Sequence, residues 1–374
     1  MVNRGGSIHG ARNGEGNGLR GYLQDQMILI VIIMVTATPA AEGRVWRVPT
    51  EAPTVQAGID SAVAGDEVTI ACGLYLEHGI RLKSGVDLTG ETGQPECVTI
   101  DAQQLDRVLS GVAVSDIRIS GLTLTGGYHV SSAGLYLAAA TGITVDGCIL
   151  QSNVAHTAGG GGMVCNASSG ILIANCRFEN NEAMIDAGGG AMFIGGASGA
   201  ISHCAFSGNR AVQGGGLACH GSSPEISACR FEANEAAWGG GIDFQNSSAA
   251  ISHCLLRGNS AGRGGAVSCY YGTDPTLSAC SLLENTGTLF GGAIHLGYAS
   301  GECNINAVNC DIFANSAPIG PDGHAEYANT LARLTCCLVD LTRWAGAGTI
   351  TQANDGCQIE TKSVTWGQAK ALYR

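Results

Sequence analysis

The sequence predicts an all-β fold, a solenoid of short parallel strands stacked coil on coil, and three observations predict it. Cysteine recurs at Cys148, Cys176, Cys204, Cys229, Cys254, Cys280 and Cys310, at intervals of 25 to 30 residues. An asparagine follows each at a fixed offset of five: Asn153, Asn181, Asn209, Asn234, Asn259, Asn285 and Asn315. Two residues past each cysteine stands an apolar residue, in order Leu150, Phe178, Phe206, Phe231, Leu256, Leu282 and Ile312. Such a period marks a repeat architecture whose units cannot bury an apolar face alone and must stack.

Each unit favours strands over helices. Ile201 to Phe206 and Ile226 to Phe231 alternate apolar and non-apolar residues, the period of a half-buried strand. A second short strand follows a glycine run such as Gly214–Gly216 or Gly239–Gly241, first as Leu217-Ala218-Cys219, then as Ile242-Asp243-Phe244. A repeat of about 25 residues has no room for a helix as well, so one repeat makes one coil. Equivalent residues of stacked coils lie about 4.8 Å apart, close enough for side-chain amides to hydrogen-bond along the stack as an asparagine ladder. The cysteine and Phe/Leu positions become apolar ladders inside the coil, and glycines sit where the chain turns sharply.

The chain divides into four parts. Residues 1–40 read as a leader rich in Gly, Arg and Asn followed by a secretory signal, with Arg4, Arg12 and Arg20 ahead of the apolar run Met27 to Val35 and small residues Thr38 and Ala40 at the −3 and −1 positions for cleavage after Ala40. That run is short for a membrane span, so membrane attachment would come only through an uncleaved signal. Residues 41–78 are read as an N-terminal cap and first coil: Val55, Ile59, Ala62 and Val63 share one helical face, and a helix there would cover strand edges otherwise left open. Residues 79–340 carry the solenoid, from irregular coils such as Val98-Thr99-Ile100 to Leu334–Val339, roughly eleven coils in all. The rhythm breaks at Pro318 and Pro321, and residues 341–374 form a C-terminal cap or tail ending in the amphipathic segment Val364 to Arg374.

Phe206-Ser207-Gly208-Asn209, Phe231-Glu232-Ala233-Asn234 and Phe290-Gly291-Gly292-Ala293-Ile294 resemble the FxxN and GGAI elements of chlamydial polymorphic outer-membrane protein repeats. Pro53 to Tyr75 resembles the opening of pectinesterase-like β-helix proteins. The wider resemblance, over residues 45–340, is to secreted bacterial right-handed parallel β-helix proteins of the pectin-lyase-like superfamily. It implies a right-handed coil, an N-terminal capping helix, and a secreted, outer-membrane or cell-surface location. For function it implies little. The N-T-D, D-D, G-H-G and R-I-K elements of polygalacturonases and the acidic clusters and arginine motif of pectate lyases are absent, and the catalytic set of pectinesterases cannot be placed.

Sixteen cysteines in an exported chain invite disulfides. Repeat cysteines at one inward position would have to bridge parallel neighbours with a strained torsion, so they are expected as buried thiols acting as small hydrophobes. Cys303 with Cys310, or a pair among Cys336, Cys337 and Cys357, are the better bridge candidates. No metal site is expected: there is no C-x2-C pair, and consecutive repeat cysteines fall in different coils. His203 and His253, each preceding a repeat cysteine, are expected on a solvated face.

A net charge of −12 without a basic stripe excludes nucleic acid as a partner. No cofactor is identified; an anionic polysaccharide would need calcium as a bridge. Aligned on the glycine run, the coils stack Gln213, Trp238, Arg263 and Phe290 just before it, and Ala218, Asp243, Ser268 and His295 just after it, alternating outward. His220, Gln245 and Tyr270 follow two residues on, with Tyr271 beside them. Aromatic faces beside polar side chains on a flat stripe are what sugar rings stack on. The candidate substrate-binding residues are therefore Trp238, Asp243, Gln245, Tyr270, Tyr271, His295 and His220. Asp243 and His295 fall two coils apart, too far for direct proton relay. The reading is a monomeric secreted or surface β-helix protein without a recognisable catalytic site. It serves structure or binding, with polysaccharide or cell-envelope components as partners. A carbohydrate-active lyase or hydrolase on this fold and an adhesin-like protein-binding surface are the alternatives.

Overall fold

The computed structural model describes residues 43–185, 188–297, 302–327 and 330–353; the leader, the signal and the segment from Val364 lie outside the described residues. Three long parallel sheets wind as a β-solenoid, sheet A with 13 strands and sheets B and C with 11 each. One coil shows the order: Gly199–Ser202 in sheet A, Ala205–Ser207 in sheet B, then the glycine run, Leu217–His220 in sheet C, and Glu225–Ser227 back in sheet A.

The alternation from Ile201 to Phe206, which reads as one strand, is in fact two strands either side of a corner. His203 takes φ 54° there, and Asn175, Ala228, His253, Ala279 and Asn309 repeat that left-handed turn in other coils. The turn keeps Cys204 pointing inward, so the apolar alternation survives the bend. His203 and His253 are exposed at these corners.

The core is a set of ladders. Phe178, Phe206 and Phe231 stack with centroids 4.6 and 4.7 Å apart and planes within 6°. All seven ladder asparagines are at most 2% exposed. Each of Asn153, Asn181, Asn209, Asn234, Asn259 and Asn285 donates from Nδ2 to Oδ1 of the next asparagine at 2.9–3.1 Å. The last, Asn315, donates instead to Asp322 Oδ1 at 3.2 Å, and Arg343 Nε holds the other oxygen of that carboxylate at 2.7 Å. A buried donor at the end of the row thus still has an acceptor. Beyond Pro318 and Pro321 the coils continue: Gly323–Ala325 and Trp344–Gly346 add to sheet C, Leu331–Thr335 and Thr349–Ala353 to sheet A.

The helix Val55–Ser61 is capped by Thr54, whose Oγ1 accepts from the Ala57 N–H, and buries Val55, Gly58 and Ile59 beside Val48 and Val68 of the first strands. It ends before Val63, which is 63% exposed rather than on the buried face.

The seven repeat cysteines are free and buried, with Cys337 continuing the column. Their thiols donate to core carbonyls, as Cys204 Sγ does to Ser202 O at 3.2 Å. The expected Cys303–Cys310 bridge is not formed. Cys303 and Cys310 are free and buried, and Cys310 belongs to the core column. A bridge joins Cys72 to Cys97 instead, parallel neighbours with Cα atoms 4.8 Å apart. That separation is within disulfide range; Cys72 is exposed and Cys97 half-buried against the edge of the core, outside the column of repeat thiols. Cys336 is also disulfide-bonded, Cys337 is free, and Cys357 lies outside the described residues. Burial pushes the Cys165 and Cys219 thiols up. The twelve thiols described as free are therefore expected to stay silent toward an aromatic disulfide reagent in the native protein and to titrate in denaturant. Rapid native reaction would show that the column is open to solvent.

Candidate functional site

Between sheets B and C some coils carry an extra strand, a rib. Tyr128–Ser131, Val154–Ala158 and Glu182–Ala183 pair as an N-terminal set; Glu235–Trp238, Ser260–Arg263 and Thr286–Phe290 pair as a C-terminal set. Between the sets Arg210 forms isolated bridges to both Glu182 and Glu235, its guanidinium 3.9 and 4.0 Å from their carboxylates. After the C-terminal ribs the glycines bring the chain back against sheet C, where a β-carbon on Gly264 or Gly291 would meet the side chain of Ser268 or His295.

The register of the stripe is as the spacing predicts. Ala218, Asp243, Ser268 and His295 stand opposite one another on successive strands, and the row continues to His324. His220, Gln245 and Tyr270 form the second row, and Trp238 pairs with Arg263 and Arg263 with Phe290 along the ribs. The exposure is not as predicted. Asp243, Ser268 and His295 are fully buried: the turn glycines Gly239, Gly264 and Gly291 lie close against this row, and Phe290 stacks beside His295. Trp238, His220, Gln245 and Tyr270 are half-buried, and Tyr271 is exposed.

Two hydrogen-bonded groups result. Asp243 takes three partners: His220 Nε2 at 3.0 Å, Gln245 Nε2 donating at 3.0 Å, and the Ser268 hydroxyl donating to the other oxygen. A buried carboxylate is tolerable only with such a set. One coil further, the Tyr270 hydroxyl lies 3.1 Å from His295 Nδ1, and His295 Nε2 lies 3.4 Å from Glu326 Oε2. The second contact is within ion-pair range but off the line of a hydrogen bond. Burial holds the His295 imidazole below its ordinary range and the Tyr270 hydroxyl above its own. His295 in turn holds the Glu326 carboxyl down. Asp243 and His295 stand two coils apart and do not touch, as the spacing implies.

Glu326 and His324 escape a reading of the sequence because the prolines at 318 and 321 interrupt the rhythm. The signal that could have found them is the alternation His324-Ala325-Glu326, which repeats the spacing of Asp243 and Gln245. His324 stacks on His295 (5.3 Å, 14°) and on Phe290 (4.7 Å, 19°). His324 Nδ1 and His295 Nε2 are buried without a hydrogen-bond partner among the described residues. The Arg263 guanidinium lies over the Phe290 ring, 5.4 Å from its centroid, and makes no ion pair among the described residues. No group of three His, Cys, Asp or Glu side chains able to hold a metal occurs among the described residues. No helix among them is long and apolar enough to cross a membrane.

Solved structures similar to the chain include an alginate lyase from Paenibacillus sp. str. FPU-7 (14% identity, 83% of this chain and 98% of that one, TM-score 0.37). Another is the A-module of an Azotobacter vinelandii mannuronan C-5 epimerase (12%, 80% and 94%, TM-score 0.32). A third is a pectin methylesterase variant in complex with a hexasaccharide (11%, 83% and 91%, TM-score 0.32). No curated protein matches the chain. A family model described as a right handed beta helix region matches residues 109–281, and with the parallel order of the three sheets the chain is a right-handed parallel β-helix through the stretch that carries Asp243 and Tyr270.

Proposed function

We propose that the angle between sheet C and the C-terminal ribs is a polysaccharide-binding face on an exported protein. The observation that carries this reading is the layering of the site. Partly exposed Trp238, His220, Gln245 and Tyr270 stand in registered rows, with exposed Tyr271 beside them, next to a buried hydrogen-bonded layer of Asp243, Ser268 and His295. Side chains fixed in this way lose little freedom when they engage a ligand. Groups recurring along the axis about every 4.8 Å suit a linear polymer of repeating hydroxyls better than a compact ligand. Export is supported by the disulfide Cys72–Cys97, a kind of bond that persists in oxidising compartments.

The test is titration with neutral and acidic polysaccharides, with and without calcium, followed by calorimetry and tryptophan fluorescence. Trp238→Ala and Tyr271→Ala are each expected to weaken binding by about 1 kcal/mol, roughly fivefold in Kd, with the thermal unfolding midpoint little changed. Retention of no polysaccharide at all would remove the reading.

A further inference from the structure

We infer that the C-terminal end of the solenoid is an acid-sensitive latch: the stacked His295 and His324 rings hold the last coils closed while both are neutral, and protonation opens that end. The opening stands apart from the binding reading; only its effect on the binding face rests on that reading.

The geometry of the stack carries the inference. His295 and His324 stand opposite each other on the paired strands Ile294–Leu296 and Gly323–Ala325. Their rings lie 5.3 Å apart and 14° from parallel, and His324 continues the stack onto Phe290 at 4.7 Å. His295 is fully buried and His324 only 6% exposed, so a charge on either ring is poorly hydrated. Neither ring is set up to hold one. His295 Nδ1 is taken by the Tyr270 hydroxyl at 3.1 Å. His295 Nε2 and His324 Nδ1 have no hydrogen-bond partner among the described residues. Two imidazoliums on adjacent coils would also repel each other.

Burial is the leading influence on both imidazoles and holds them below their ordinary range. The surrounding charges divide. Glu326, 3.4 Å from His295 Nε2, favours a proton on both rings, and Asp243, two coils away, favours one on His295. Arg263, over the Phe290 ring, opposes a proton on both. Tyr270 is pushed up by burial and stays neutral. From the next coil Ala345 stands opposite His324 and brings no charge. An opened coil takes up protons near the ordinary imidazole pKa of about 6.5. The closed end therefore has its full stability above that pH and loses it as pH falls below. Free carboxylates titrate near pH 4, and His295 holds Glu326 below its own ordinary range. A loss between about pH 6.5 and about pH 5 thus belongs to the imidazoles.

The place of the stack makes the opening local. Among the described residues the order of sheet C ends with Ile294–Leu296, Gly323–Ala325 and Trp344–Gly346. Coils of a solenoid contact only their neighbours, so charge here separates the end and leaves the middle closed. His295 also ties the latch to Tyr270. The carboxylate beside Nε2 favours the tautomer in which Nδ1 accepts from the Tyr270 hydroxyl, and protonation turns Nδ1 into a donor. Polysaccharide held at Tyr270 is then expected to be released over the same pH range.

The experiment follows hydrogen exchange of the full chain by mass spectrometry at about pH 7.5 and about pH 5.5, with labelling times scaled for the intrinsic rate. Peptides covering Ile294–Leu296, Gly323–Ala325 and Trp344–Gly346 are expected to lose about 100-fold in protection at the lower pH, about tenfold for each imidazole. Met163–Asn166 and Ala191–Ile194, mid-sheet, should keep theirs. His324→Phe keeps a ring in the stack and should cut the loss to about tenfold; the double variant with His295→Gln should abolish it. His295→Gln alone serves if His324→Phe does not fold. His129→Gln, at another buried imidazole on the N-terminal ribs, should leave the loss unchanged. End strands that keep their protection in the wild type overturn the latch, as does His324→Phe opening as far as the wild type. A chain that opens in acid but retains no polysaccharide removes the binding reading and leaves the latch standing.

Discussion

Asn209→Leu is expected to lower the stability of the solenoid by about 4 kcal/mol, measured as a drop in the denaturant midpoint with little change in slope. The side chain sits mid-ladder and fully buried. Its Nδ2 donates to Asn234 Oδ1 at 3.0 Å and to Phe178 O at 2.8 Å, while its Oδ1 accepts from the Asn181 N–H at 2.9 Å and Nδ2 at 3.0 Å. Leucine fills the space but offers no polar atom. Phe178 O and both Asn181 donors are then left without these partners in a core that admits no water, each orphan costing about 1–3 kcal/mol. Asn234 Oδ1 suffers less, because the backbone N–H of residue 209 still reaches it.

The ladder's first member makes the comparison. Asn153 donates to Leu124 O and Asn181 Oδ1 and accepts only from the Gly127 N–H. Asn153→Leu therefore orphans two groups rather than three and should cost measurably less. Equal losses at both positions, or a loss under about 1 kcal/mol at Asn209, would mean that the row is a passive consequence of stacking.

What the sequence made legible, and what it hid, divides along repetition. The asparagine and cysteine columns could be read because one residue per coil recurs at a fixed place, and parallel stacking turns that place into contact. The same logic put Asp243 opposite Ser268 and Gln245 opposite Tyr270. Burial could not be read in this way, because it depends on what lies above the sheet. The turns that cover Asp243 and His295 are led into by segments as unlike as Glu235–Trp238, Ser260–Arg263 and Thr286–Phe290, which share no alternation and read as loops. Glu326 was lost for a related reason: two prolines change the spacing, although the strand pairing continues through them. The Cys72–Cys97 bridge lies before the regular repeats begin, where no column marks which cysteines face each other.

Gly215→Ala should cost about as much as losing the ladder asparagine, at least 4 kcal/mol and enough to impair folding. Gly215 lies where the chain returns from between the ribs to sheet C. A β-carbon there would sit 2.6 Å from Glu235 O and 2.6 Å from Gly240 O, both backbone atoms of the adjacent coil. Neither can move aside alone, since Glu235 is in a rib and the glycine run is tied coil to coil by Gly215 N–H to Gly239 O and Gly240 N–H to Gly264 O. Relief must come from separating coils, which breaks the ladder hydrogen bonds and opens the layer that buries Asp243. Gly221 supplies the control. It too resists substitution, with φ 60°, but a β-carbon there meets nothing within 4 Å, so Gly221→Ala should cost only the left-handed penalty of about 1–2 kcal/mol. If thermal unfolding ranks the two variants equally, conformational strain rather than coil-to-coil contact sets the need for glycine at this corner.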